Sequence, residues 1–157
     1  MAARQPARGS HSHGASILTP ETPGVAQSGV GADGGRAWRF SVPYPPSTNT
    51  LYATVNGRRV KSKAARDYTD VVGDMASIMR ARVGTPAPPY GLTIELYAPD
   101  LRRRDADNGV KCLQDALLRG TGRDDAEVVS LHVFKRGVDR YHPRADVTLE
   151  HDDRQEG

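Results

Sequence analysis

A chain of 157 residues is long enough for one domain with a real core and too short for two comfortable ones. Its hydrophobic content of 37% is low for that size; 22 Lys and Arg against 19 Asp and Glu leave a formal charge of +3, and a basic pI near 9.2 fits a polyanionic partner without establishing one. A single cysteine, Cys112, excludes an intrachain disulfide and any multi-cysteine zinc or iron–sulfur site. No apolar run approaches a membrane span, so no membrane partner and a cytoplasmic location are expected.

Residues 1–35 hold few large apolar side chains and are rich in Gly, Ala, Ser and Pro. They read as a disordered leader, because they cannot bury enough surface to offset chain entropy. Their Arg and Ser content gives only weak support to an organellar transit peptide. His11 and His13, in a flexible tail, are more simply solvated than metal-bound. The folding unit is therefore expected over residues 36–150, with 151–157 as an acidic tail. Arg4 and Arg8 balance Glu21 and Asp33 in the leader, so the positive charge belongs to the domain.

Trp38 to Val42 alternates apolar and polar residues, the pattern of a half-buried strand. Pro43, Pro45 and Pro46 end it, because proline donates no ladder hydrogen bond. A polar loop, Ser47-Thr48-Asn49, follows. Asn56-Gly57 marks a tight turn with Arg58, Arg59, Lys61 and Lys63 close behind. That cluster is either a solvated hairpin surface or a set of phosphate contacts, since basic side chains dominate nucleic-acid affinity. Residues 63–83 place Tyr68, Val71, Val72, Met75, Ile78, Met79 and Val83 at helical intervals, predicting one buried stripe. Leu92 to Tyr97 is a strand by alternation. Asp107 or Asn108 can cap a helix running to about Arg119, with Gly120 as its stop and Val110, Leu113 and Leu117 on its buried face. Val128 to Phe134 and Ala145 to Leu149 read as strands joined by a turn over Gly137 to Pro143. The order β-α-β-α-β-β predicts a small single-domain α+β (α/β) fold, a mixed sheet with two packed helices.

The chemistry concentrates between Arg102 and Glu127. Arg102-Arg103-Arg104 precedes Asp105 and Asp107, Lys111 follows four residues after Asp107, and Asp124-Asp125 returns beyond the helix. Carboxylates are hard ligands suited to magnesium, with manganese as the alternative. Asp105 and Asp107 leave a strand end one residue apart, and packing the helix on the sheet would carry Asp125 toward them. Three converging carboxylates repel unless a cation lies among them. Without such convergence the acids would serve as helix caps, and Lys111 would pair with Asp107 or Asp115, four residues away on either side. An EF-hand reading fails, because Gly109 comes one place early and the twelfth position is Ala116 rather than Glu. No motif supports Ser-His-Asp or Cys-His catalysis. Cys112 falls inside the helix as packing, and His132, His142 and His151 are scattered.

In order and spacing these residues resemble the RusA-type Holliday junction resolvases, endodeoxyribonucleases common in phages and prophages. The resemblance covers about residues 38–150. It rests on Pro45-Pro46-Ser47-x-Asn49 with Tyr52, the Gly57-Arg58 turn, and Ser62 through Ala65-Arg66-x-Tyr68. Its most specific part is Arg103-Arg104-Asp105-x-Asp107-Asn108-x-x-Lys111, with Asp115-Ala116-Leu117 and Asp124-Asp125-x-x-Val128 beyond. The resemblance implies that Asp105, Asp107 and Asp125 bind magnesium with Lys111 as an essential basic partner, and that a homodimer cuts four-way DNA junctions at symmetric sites. Asn108 and Asp124 belong to the same motif as supporting residues. The chain departs from the pattern at Gly120-Thr121-Gly122-Arg123, where aromatic or apolar residues are often found. Arg58, Arg59, Lys61, Lys63 and Arg102 to Arg104 are the candidate phosphate contacts. Two other classes share these features: a non-catalytic nucleic-acid-binding module, and another metal-dependent phosphodiesterase acting on RNA or a small substrate.

Overall fold

The computed structural model describes residues 27–30 and 36–154. Its elements are β1 (Gln27–Val30), β2 (Arg36–Pro43), β3 (Tyr52–Val55), β4 (Arg58–Lys61), α1 (Lys63–Val83), β5 (Tyr90–Ala98), α2 (Val110–Thr121), β6 (Val128–Val138) and β7 (Arg144–His151), with short 3-10 turns at Thr48–Thr50 and Asp125–Glu127. The main sheet runs β1-β2-β7-β5-β6. Every pairing is antiparallel except β5 with β6, which lie parallel because α2 makes the crossover between them. β3 and β4 form a separate hairpin, turned by Asn56 and Gly57, both at positive φ.

The mixed sheet with two helices matches the order read from the sequence, with additions at its margins. β1 pairs with β2 inside the stretch expected to be leader. Residues 1–26 and 31–35, with His11 and His13, lie outside the described residues, as do 155–157. β6 runs on to Val138, shortening the expected turn. His151 ends β7, and the neighbouring Asp152 is buried, so the domain passes the expected boundary at residue 150.

Both helices bury one face against the sheet. Trp38, Phe40 and Val42 of β2, Leu92, Ile94 and Leu96 of β5, and Val147 and Leu149 of β7 meet Tyr68, Val72 and Met79 of α1 and Val110, Leu113 and Leu117 of α2. Fully burying each large aliphatic contributes about 1.5–3 kcal/mol before cavity effects. The α1 stripe is narrower than the periodicity implied: Val71 and Ile78 are exposed. They sit one position off the row that reaches the sheet, on the flank turned to water.

The helices approach closely at Gly120. A Cβ there would lie 2.3 Å from the Gly73 carbonyl oxygen and 2.5 Å from Ala76 Cβ. The expected stop at Gly120 is therefore corrected. Gly120 is buried within α2, the helix continues through Thr121, and Gly122 is the left-handed C-cap. The departure at residues 120–123 is thus a tight crossing followed by a cap. Among the described residues no helix is long and apolar enough to cross a membrane.

Candidate active site

α2 places its charged flank beside the second acidic segment. Lys111, in the first turn of α2, donates from Nζ to Asp115 Oδ1 at 2.8 Å and to Asp125 Oδ2 at 2.8 Å. The two carboxylates hold the Lys111 ammonium above its ordinary pKa, Asp115 more strongly than Asp125. Lys111 in turn holds the Asp125 carboxyl below the usual carboxylate range. Both groups therefore keep their charge at neutral pH. Asp124 caps the short turn that presents Asp125, accepting from Ala126 N at 2.9 Å. Of the two partners expected for Lys111 within its helix, Asp115 is engaged, and the contact to Asp125 bridges fourteen residues.

Asp105 and Asp107 occupy the loop before α2, both exposed. Their carbonyls accept from Asn108 N and Val110 N at 3.2 and 3.1 Å, so the backbone turns tightly while the carboxylates stay outside that ladder. Neither residue caps α2, and neither does Asn108. The cap is Gly109, in the left-handed region at φ 89°, with no side-chain cap bond. A Cβ at Gly109 would meet the Pro46 carbonyl oxygen at 2.8 Å, so the proline loop fits there only against glycine. Asn108 is turned away from the helix to fasten that same loop. Its Oδ1 accepts from Thr48 N at 2.7 Å and Ser47 Oγ at 3.2 Å. Thr48 Oγ1 accepts in turn from Gly109 N at 3.2 Å. The sequence marked Asn108 as supporting but missed Ser47 and Thr48 as its partners; a polar triplet placed directly after a proline-rigid segment was the available signal.

The donor set has the oxygen chemistry of a hard divalent cation. The expected convergence is incomplete, however. Among the described residues no three Asp, Glu, His or Cys side chains stand close enough together to hold a metal ion. The structure unites Asp115, Lys111 and Asp125, and leaves Asp105 and Asp107 at the head of the same helix. Cys112 is buried beneath, and burial pushes its thiol pKa up, which suits packing and not nucleophilic attack.

The basic candidates divide. Arg58, Arg59 and Lys61 lie on β4, exposed along its length, with Arg59 stacked 4.1 Å over the Tyr52 ring. A surface cavity of about 360 Å³ opens between Thr48, Asn49, Tyr52, Thr54 and Arg59. Lys63 begins α1 and pairs with Asp67. Arg104 is committed to the scaffold, bidentate to Asp100 at 2.7 and 3.0 Å and 5.9 Å from the Tyr44 ring centroid. Arg102 stands 3.9 Å from Asp100, and Arg103 is exposed.

Fold and site together define a small α+β domain with exposed basic side chains on its hairpin and exposed carboxylates at the head of α2. The family profile described as endodeoxyribonuclease RusA matches residues 43–150, and the chain belongs to that family. It is 37% identical over 102 residues, 64% of this chain and 84% of the relative, to the crossover junction endodeoxyribonuclease RusA of Escherichia coli (strain K12). The same identity and coverage relate it to the enzymes of that name from Enterobacteria phage 82 and Shigella sonnei (strain Ss046).

Proposed function

We propose that this protein resolves four-way DNA junctions in recombination and repair, hydrolysing a phosphodiester in each of two symmetric strands with magnesium or manganese bound. The observation that carries this reading is the Lys111–Asp125 contact at 2.8 Å, which brings the second acidic segment onto the helix headed by Asp105 and Asp107. Family membership and the crossover-junction names of the relatives support the choice of substrate. Asp105, Asp107 and Asp125 would hold the cation. When bound, such an ion polarises a phosphoryl oxygen and lowers the pKa of an attacking water.

Lys111 sits beside Asp125 as a fixed positive charge, placed to offset the negative charge that grows on the phosphate as water adds and a P–O bond breaks. Asp115 keeps that ammonium aimed along the flank. Arg58, Arg59, Lys61 and Arg103 neutralise backbone phosphates. A homodimer would supply two equivalent sites to two equivalent strands, and the cytoplasm is where such a substrate is met.

One observation favours a different reading: no three metal-ligating side chains are gathered among the described residues, as would suit a module that binds junctions without cutting them. Incubating the protein with a synthetic junction, a linear duplex and RNA, each with magnesium or with chelator, separates the two. Paired, magnesium-dependent incision of the junction alone is expected. Binding without incision would establish the module, and cutting that ignores branching would establish a general phosphodiesterase. Sedimentation as a 17.0 kDa monomer with paired incision retained would refute the dimer.

A further inference from the structure

The C-terminal ends of β5 and β6 form a corner that, Arg103 apart, the site above does not use. The two loops there are joined where Asp139 N donates to Ala98 O at 2.8 Å. From one projects Leu101, 80% exposed, and from the other Tyr141, 89% exposed, the two most exposed large apolar side chains among the described residues. Arginines stand around them: Arg102 and Arg103 in the first loop, Arg140 in the second, all exposed. The local acids are already engaged with other partners. Asp100 holds Arg104, and Asp139 holds Arg144 at 2.8 Å. Among the described residues, Arg103 and Arg140 make no ion pair.

The turn bearing Tyr141 is built rather than loose. Asp139 Oδ1 accepts from Tyr141 N at 3.2 Å and His142 N at 2.9 Å. Arg144, which grips Asp139, also binds Asp146 at 3.1 Å and stacks 4.0 Å over the Tyr97 ring. A rigid turn that holds an aromatic ring in water, flanked by arginines without partners, has the composition of a surface that stacks nucleobases and binds phosphates.

We propose that this corner is a second DNA contact, in which the Tyr141 ring stacks on a base exposed at the branch point while Arg140 and Arg103 bind the adjoining phosphates. This rests on the junction reading above and extends it from Arg103 to Tyr141 and Arg140, which that reading leaves idle. Arg103 lies two residues from Asp105, so one strand can reach both surfaces. A second copy of the chain is the poorer occupant, because a two-fold contact would set the arginines of each copy against those of the other.

The test is junction binding in chelator, so that cleavage does not enter. Tyr141→Ser is expected to weaken binding about 10-fold or more, and Tyr141→Phe to keep it, since the ring does the stacking. Arg140→Ala should lower the slope of log affinity against log salt by about 1. Near-ultraviolet irradiation of wild type on a junction carrying 5-iodouracil at the branch point should crosslink the peptide containing Tyr141. Wild-type affinity in Tyr141→Ser together with no crosslink at Tyr141 overturns this inference and leaves the function standing. Conversion of a dimer to a monomer by Tyr141→Ser would make the corner a protein interface and overturn it equally. Failure of wild type to bind any junction would remove the underlying function instead.

Discussion

Two sets of acids stand close together in this chain and are treated in opposite ways. Asp100 and Asp139 are each surrounded by donors. Asp100 accepts from Arg102 N and from both terminal nitrogens of Arg104, and Asp139 accepts from two backbone amides and Arg144. Asp105 and Asp107, only a few residues beyond Asp100, make no side-chain hydrogen bond or ion pair among the described residues. Asp125 meets one lysine, Lys111. Residue type does not separate the two sets; the number of fixed donors does. Carboxylates saturated by guanidinium forks hold loops in shape, while those left with oxygens to offer can take a cation or act on a substrate.

The largest expected effect breaks the second set. Asp105→Asn or Asp107→Asn should reduce junction cleavage about 10^3-fold, since loss of a metal ligand, the role proposed for both, would remove several kcal/mol of transition-state stabilisation. The thermal midpoint should be unchanged, because these side chains brace nothing. A fall in the midpoint that parallels the activity loss would place Asp105 and Asp107 with Asp100 and Asp139 instead. Lys111→Ala should cost less, about 10^2-fold in cleavage, with junction binding in chelator retained. Near wild-type cleavage would reduce Lys111 to an ordinary surface pair.

Next comes the scaffold that both sets depend on. Gly120→Ala forces a methyl group into the Gly73 backbone and should destabilise the domain by about 1–3 kcal/mol, read as a lower midpoint in thermal or urea unfolding. An unchanged midpoint would mean the helices can separate freely at that crossing.

The smallest effect sharpens the first set. The Arg104 guanidinium, with help from Arg102 N, holds the Asp100 carboxyl down from the usual 3.8 to about 2. A group whose pKa is depressed on folding stabilises above its unfolded value, and that contribution is lost as pH falls through the folded one. Stability should therefore decline between pH 3.8 and about 2, and Asp100→Asn should flatten the decline. The same slope in that variant would relocate the effect.

Much of the fold was legible because burial imposes a period. Trp38 to Val42, Leu92 to Tyr97 and the α1 stripe were readable from alternation or helical spacing. Val71 and Ile78 were misjudged because periodicity marks an apolar face without fixing how wide a strip the sheet covers. Gly120 was misread because glycine signals a stop from sequence alone, and only the partner helix reveals that a close crossing requires it. The acids were nameable from spacing, whereas the contact between Lys111 and Asp125 was not, since it joins residues fourteen apart across a helix and a turn. Whether all three metal candidates meet depended on side-chain placement that no spacing encodes. Asn108 looked like a cap because asparagine at a helix entrance usually is one; its actual partners, Thr48 and Ser47, lie about sixty residues earlier.

That long-range tie has a mechanical consequence. Asn108 locks the loop feeding the β3–β4 hairpin to the loop carrying Asp105 and Asp107, so the pair behaves as a lever with its pivot at the head of α2. If the hairpin holds a DNA strand as proposed, tension on that strand would reach the carboxylates through this tie, and grip at one end would become alignment at the other.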